Sequence, residues 1–385
     1  MKNFVYQNPV KIYFGPGQIA ALEAAIPKNA RVFITYGKGS IKENGVYKAV
    51  LEALKGHDVV GEFGGIEANP DYATLRHGVS QAQQVQADYL LAVGGGSVLD
   101  GTKFMAAAMR TEGDPWDFVV GKTKITGALH FGAVLTLPAT GSEMNFFSVV
   151  SRREWGAKVG FGHPLLYPQF SILDPSTTAT LPLRQVGNGI VDAFVHTTEQ
   201  YLTVKNDAPL QERFAEGVLS TLIEQGPLVV ADNATDSVAR ANIMWTATMA
   251  LSGIFGVGVV QDWATHTIGH ELTAEYGLDH AQTLAVVLPS LLAVKLNARL
   301  EKLAQYGRRV WGLEGTDAVV AKHAIENTRT FFENVGVPTR LSAYGVGPEA
   351  VAKISSRLEK AGAFPLGELQ DINVGDVRLI LEKSL

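Results

Sequence analysis

Five polar residues in the second half of the chain stand at spacings that suit metal chemistry. Asp192 and His196 are four apart within Gly189-Ile-Val-Asp-Ala-Phe-Val-His196. On a helix that spacing puts both side chains on one face. Their neighbours are apolar, so the carboxylate would face a core, where an unpaired charge is costly. Asp192 therefore needs a cation or a strong donor. His266 and His270 are also four apart, in Asp262-Trp-Ala-Thr-His-Thr-Ile-Gly-His270, and His280 follows ten residues later beyond a turn. A pair from one helix plus two residues from another segment is how helical proteins build metal sites. The string from His266 to His270 matches the H-E-x-x-H of zinc proteases only in its histidines. Thr267 stands where the glutamate base would be, which excludes that chemistry. Asp192, His196, His266 and His280 are the expected ligands, whereas His57, His77, His130 and His323 read as ordinary core or surface residues. Three imidazoles and one carboxylate make a borderline-to-hard site. Fe2+ and Zn2+ both fit it, and affinity order alone does not choose. Four protein ligands leave one further position for a substrate oxygen if the geometry expands.

A second group of residues suits a nucleotide. Gly94-Gly95-Gly96-Ser97 follows a strand pattern and opens a helical one, with Asp100 one turn in. Glycines let the backbone approach a phosphate, and a helix N-terminus presents free N–H groups. An ordinary turn with Ser97 as N-cap is the plain alternative, but three consecutive glycines exceed what a turn requires. Gly37-Lys38-Gly39-Ser40 also follows a strand. It lacks the third glycine of G-x-G-x-x-G, because position 42 is Lys. Thr136-Leu-Pro-Ala-Thr140-Gly-Ser-Glu-Met-Asn145 offers hydroxyls and an amide, or simply caps a strand. Recurrence strengthens all three, since a dinucleotide is long enough to need several such loops.

These residues need elements to hold them. Short β-branched and aromatic runs at Arg31–Tyr36, Asp58–Phe63, Asp88–Val93 and Ala133–Leu137 alternate with helical patterns. That alternation implies βαβ units and a mostly parallel, Rossmann-like sheet, in which ligands sit at the carboxyl ends of strands. Phe147–Arg152, Lys158–Gly162 and Phe170–Leu173 read as further strands. The stretch from Asp174 to Pro182 is dense in turn formers. It divides an α/β dinucleotide-binding domain over 1–178 from an all-helical, metal-binding domain over 179–385. Helices are predicted over Gln185–Leu202, Leu210–Val230, Val238–Leu251 and Asp262–Tyr276, with one long helix over Gln282–Tyr306.

Bulk properties narrow the class. The 385 residues are 46% hydrophobic and 18% charged, enough to bury two cores. A net charge of −5 with no run of like charges speaks against nucleic-acid or polybasic membrane partners. The absence of cysteine excludes disulfides, thiolate metal sites and cysteine nucleophiles. The first nine residues lack the apolar core of a signal peptide, and the apolar stretch Leu284–Val294 is too short for a bilayer. A soluble, cytoplasmic protein is expected.

A dinucleotide on the sheet domain and a metal on the helical domain would meet in the interdomain cleft, which implies hydride transfer. The metal would polarise a carbonyl oxygen and the nicotinamide would carry the hydride. His270 is expected to relay a proton or to position the nicotinamide. Phe147, Val149, Phe255 and Trp263 suit an apolar pocket or a core equally well. A dehydroquinate synthase-like or other metal-plus-dinucleotide lyase is the alternative, but it would need pocket cations that the ligand neighbourhood lacks. A metal hydrolase leaves the glycine loops without a role. A non-catalytic nucleotide-binding module leaves Asp192 and the histidines unexplained.

Over essentially its whole length the chain resembles the iron-containing (group III) alcohol dehydrogenases, and most closely their branch of NADPH-dependent aldehyde reductases and butanol dehydrogenases. The resemblance runs through Phe4-Val-Tyr-Gln-Asn-Pro-Val-Lys-Ile-Tyr-Phe-Gly15, Asn69-Pro70, Gly94 to Asp100, Thr136 to Asn145, Gly189 to His196, and His266-x3-His270-x9-His280. It implies the same four metal ligands. It also implies dinucleotide contacts at Gly37, Lys38, Gly39, Ser40, Asn69, Gly95, Gly96, Ser97, Asp100, Thr136, Thr140, Asn145 and Lys158. NAD-preferring relatives carry an aspartate in the 37–40 turn that would repel a 2′-phosphate. Here that turn has no acid and one cation, so NADP(H) is expected over NAD(H). The resemblance further implies a homodimer joined through the strand around Val10–Phe14, and a pocket lined by Phe147, Val149, Phe255 and Trp263 would suit short- to medium-chain alcohols or aldehydes.

Overall fold

In the computed structural model, which describes residues 1–205, 207–231 and 236–385, the β-branched runs of the first half become strands. They are β1 (Lys11–Phe14), β2 (Arg31–Tyr36), β3 (Asp58–Phe63), β4 (Tyr89–Gly95), β5 (His130–Leu137), β6 (Phe147–Arg152), β7 (Ala157–Gly162) and β8 (Phe170–Leu173). Between them lie α1 (Leu22–Ala25), α2 (Ser40–Glu43), α3 (Val46–Ala53), α4 (Tyr72–Gln84), α5 (Gly96–Ala108) and α6 (Trp116–Val119). Six strands form one parallel sheet in the order β1-β8-β5-β4-β2-β3, and β6 pairs antiparallel with β7 as a separate ribbon.

Period-two alternation gives that sheet two buried faces. Phe33, Leu90, Ala92 and Phe131 pack with Leu75, Leu99 and Phe104 on one side. Ile34, Leu91, Val93 and Ile172 pack with Leu22, Val46 and Val50 on the other. Near-continuous apolar strands are what a parallel sheet covered on both faces requires. Because the strands run one way, the carboxyl ends of β2, β4 and β5 share one edge, with Tyr36 opposite Val93 and Gly95 opposite Leu137. The loops after those strands, the three singled out for a nucleotide, therefore sit side by side.

The rest of the chain is helical: α7 (Leu183–Tyr201), α8 (Pro209–Val230), α9 (Ser237–Ala250), α10 (Ala264–Tyr276), α11 (His280–Val294), α12 (Leu300–Val310), α13 (Asp317–Asn334), α14 (Glu349–Lys360) and α15 (Val374–Lys383). One expectation is corrected here. The single helix over Gln282–Tyr306 is two, broken between Val294 and Leu300. At the break two cations turn toward acids of the 368–371 turn and of the α10 approach. Lys295 Nζ lies 2.8 Å from Asp371, and Arg299 pairs with Asp262 and Glu368. Hydrophobic periodicity does not register such pairings.

Two compact units result, interleaved along the chain. The sheet unit comprises Gln7–Pro182 and Arg240–Thr248; the helical unit comprises Met1–Tyr6, Leu183–Ala239 and Met249–Leu385. The middle of α9 belongs with the sheet because Met244 packs on Leu135 and Leu173, and Thr248 Oγ1 donates to the buried Glu143 Oε1 at 2.5 Å.

Candidate functional site

Within the helical unit, α7 carries Asp192 and His196 on one face, 3% and 5% exposed. α10 presents His266 in its first turn, and His280 is the first residue of α11. The start of α11 is fixed by Asp279, which forms a capping box with Gln282 and accepts hydrogen bonds from Arg184 and Asn188 of α7. That latch seats His280 against the helix bearing Asp192. One donor atom from each of Asp192, His196, His266 and His280 lies within 4.8 Å of the other three. His266 Nε2 and His196 Nε2 are 3.1 Å apart, and His280 Nε2 is 3.6 Å from Asp192 Oδ1. Spacing alone had grouped these four, and the fold brings them together.

The cluster fits a divalent cation. Asp192 Oδ1 and His196 Nδ1 are buried and make no hydrogen bond. A buried carboxylate oxygen without a donor is costly, and a cation would remove that cost. Burial pushes His196 down to about 4, so its imidazole is neutral near pH 7 and keeps a lone pair. Nitrogen and oxygen donors without thiolate suit Fe2+ or Zn2+. His270 is the neighbour of the cluster, its ring centroid 5.2 Å from His280 and 6.1 Å from His266. The Trp263 ring lies 5.2 Å from His266, whereas Phe255 is buried at 2% exposure.

Within the sheet unit, the glycine run serves the protein itself as well as any ligand. A Cβ on Gly94 would lie 2.5 Å from Val98, on Gly95 2.9 Å from Leu137, and on Gly96 2.4 Å from Thr140. These contacts let α5 close onto β5 and its loop. The N-cap of α5 is Gly95 rather than Ser97, and no side chain caps the first turn, which leaves an N-terminus suited to an anion. Gly39 has φ +108° with open space where a Cβ would be. Lys38 beside it is exposed. Lys42, one turn on, is instead held by Glu62 at 2.8 Å beneath the rings of Tyr36 and Tyr47.

The polar residues of the 136–145 loop are largely engaged with one another. Asp100 accepts from Ser142 Oγ at 2.7 Å and from the Val149 N–H at 2.9 Å. Asn145 donates to the Gly141 carbonyl and accepts from the Phe147 N–H. Thr140 Oγ1 accepts from the Ser142 N–H, and Thr136 is buried near the end of β5. Asn69 adopts φ +54°, which asparagine tolerates. Lys158 stands opposite Ser151 on the ribbon, and its charge is felt at Asp100.

Three residues escaped the sequence reading. Lys103 is fully buried and donates to Ser142, Asn145 and the Phe147 carbonyl, with burial lowering its ammonium to about 8. Its signal was a lone cation in a helix that is apolar from Phe104 onward. Glu143 is fully buried, and burial raises its carboxyl above the ordinary range. Glu199 lies on the ligand face of α7 and contacts His266. Position 199 continues the 192 and 196 spacing, which was the available signal.

Comparison with known proteins agrees with both halves of this picture. Residues 9–175 match the family model of iron-containing alcohol dehydrogenase, and residues 187–385 match that of the Fe-containing alcohol dehydrogenase family, C-terminal. The chain is 53% identical to the NADPH-dependent aldehyde reductase YqhD of Escherichia coli, with all of both chains covered. It is 40% identical to a probable NADH-dependent butanol dehydrogenase 1 of Bacillus subtilis, again over the whole of both. The crystal structure of Escherichia coli YqhD superposes with a TM-score of 0.97 at 52% identity, over 100% of this chain and 99% of that one.

Proposed function

Because this chain belongs to the iron-containing alcohol dehydrogenase family, we propose that it is a metal-dependent alcohol dehydrogenase and aldehyde reductase that uses NADP(H) in preference to NAD(H) on short- to medium-chain substrates. The observation that carries this reading is the buried convergence of Asp192, His196, His266 and His280. These four would hold one Fe2+ or Zn2+. A bound divalent cation supplies Lewis acidity to the substrate oxygen, and a bound nicotinamide supplies or takes the hydride. The uncapped start of α5 at Gly95, Gly96 and Ser97 binds the diphosphate through backbone N–H groups. Gly37, Gly39 and Ser40 leave room for the adenosine ribose, and Lys38 attracts a 2′-phosphate. Asp100, Lys103 and Asn145 keep the 136–145 loop in shape for the ligand. His270 holds or passes the proton that the alkoxide must gain.

Oxidation of NADPH with butanal tests the reading. Activity should vanish on chelation and return with Fe2+ or Zn2+, and NADPH should outperform NADH. Full activity in protein shown to be metal-free would overturn it. For the partner, β1 is an edge strand paired only with β8, a ready template for a second copy. A homodimer should therefore be seen by sedimentation. No described helix is long and apolar enough to cross a membrane, which is compatible with a cytoplasmic enzyme, and cell fractionation checks that location.

A further inference from the structure

The ligand face of α7 does not end at His196. Glu199 follows at the spacing that keeps it on that face, and its side chain is 4% exposed. Its Oε1 accepts the backbone N–H groups of Thr265 at 2.7 Å and His266 at 3.3 Å, in the first turn of α10. Its Oε2 meets Nδ1 of His266. The backbone carbonyl of Glu199 is held too, accepting from the Asp262 N–H at 2.8 Å. One residue of α7 thus grips both the backbone and the imidazole of His266.

We infer that Glu199 is a positioning residue that fixes the tautomer and the bearing of His266 toward the cation. This rests on the metal reading of the four-residue cluster. A neutral imidazole carries one ring proton. When a carboxylate takes that proton in a hydrogen bond at Nδ1, the lone pair is left on Nε2. Nε2 is the His266 atom that faces the cluster, 3.1 Å from His196 Nε2. A cation on Nε2 leaves the ring proton on Nδ1, and Oε2, its partner there, accepts it as a hydrogen bond. A glutamine of the same shape does the opposite. Its carbonyl can keep the two backbone N–H groups, but its amide N–H2 then faces Nδ1 and makes it an acceptor. The ring proton moves to Nε2 and the lone pair there is lost. A residue that merely tied α7 to α10 would tolerate glutamine.

The experiment compares the intact protein with Glu199→Gln and with Glu216→Gln, which alters another buried acid of the helical unit. Zn2+ affinity is read by competition with a chromophoric chelator, and folding by the thermal midpoint of the metal-free proteins. Glu199→Gln should bind Zn2+ about 10- to 100-fold more weakly, with Glu216→Gln close to the unaltered chain. Equal affinity for Glu199→Gln overturns the positioning role. Failure of the unaltered protein to bind Zn2+ overturns the metal reading instead. Should Glu199→Gln not fold, NMR of the unaltered zinc-loaded protein decides. A strongly downfield Nδ1–H of His266 upholds the contact with a carboxylate, and its absence overturns it.

Discussion

Arg299 is shared by two carboxylates in the helical unit, and that arrangement makes stability depend on pH in a direction that can be worked out. Arg299, Asp262 and Glu368 have side chains 4%, 5% and 1% exposed. One guanidinium can balance one carboxylate, so the second acid is favoured neutral. Burial, reinforced by the hydrogen bond to Asp262, pushes Glu368 up from 4.5 to about 8. The hydrogen bond from Glu368 and the charge of Arg299 hold Asp262 low despite its burial. A carboxyl whose pKa is raised by folding binds its proton more tightly in the native state. Its contribution is complete below the unfolded value and is lost as pH rises through the folded one. Between pH 6 and pH 9 the linkage relation gives a loss of about 2.7 kcal/mol for a shift of this size. Relaxation around the buried groups lowers that figure, so about 1–2 kcal/mol is expected. Glu368→Gln keeps the neutral shape and removes the proton equilibrium. Urea unfolding at pH 6, 7, 8 and 9 should show the unaltered protein losing stability relative to the variant steadily from pH 6 to about pH 8, with little further change by pH 9. Parallel curves would refute the shared-proton account of this triad.

Other outcomes follow from the same geometry. His270→Ala should slow turnover by about 100-fold, the low end for loss of a proton-transfer group, with metal content by elemental analysis unchanged; loss of the metal would make His270 a ligand. Lys38→Ala should raise KM for NADPH about 5-fold, equivalent to about 1 kcal/mol for an exposed charge-assisted contact, while leaving NADH unaffected. This is a cleaner probe of cofactor choice than an acid at Gly39, whose φ of +108° would strain any side chain. Asp279→Ala removes the capping box and the latch to Arg184 and Asn188. It should weaken Zn2+ binding about 10-fold and lower stability by about 1 kcal/mol, read by chelator competition and thermal melting.

The candidate ligands were legible because a helix converts four-residue spacing into a shared face, and Asp192 had no apolar excuse for its place. The candidate cofactor loops share one sheet edge because glycines cluster where a parallel sheet ends its strands. The reason for those glycines was only partly legible. The close approach of Gly96 to Thr140 joins residues 44 positions apart, and local pattern carries no trace of it. Lys103, Glu143 and Glu199 stayed hidden for a related reason. Each is an ionisable side chain buried by partners distant in sequence, and taken singly such residues read as ordinary surface. The break at 295–299 was not legible because the apolar period continues across it, while Lys295 and Arg299 find their acids far along the chain.

The placement of residues 240–248 in the sheet unit bears on how the protein can be made. During synthesis the whole parallel sheet emerges before α9 does. Until residue 248 leaves the ribosome, Leu135 and Leu173 lack Met244 as cover and Glu143 lacks the hydroxyl of Thr248. The sheet unit must therefore wait for the 66 residues from Leu183 to Thr248 to pass before Glu143 gains that hydroxyl. A fragment cut after Pro182 would carry an exposed apolar seam and a stranded carboxyl, and would be prone to aggregate.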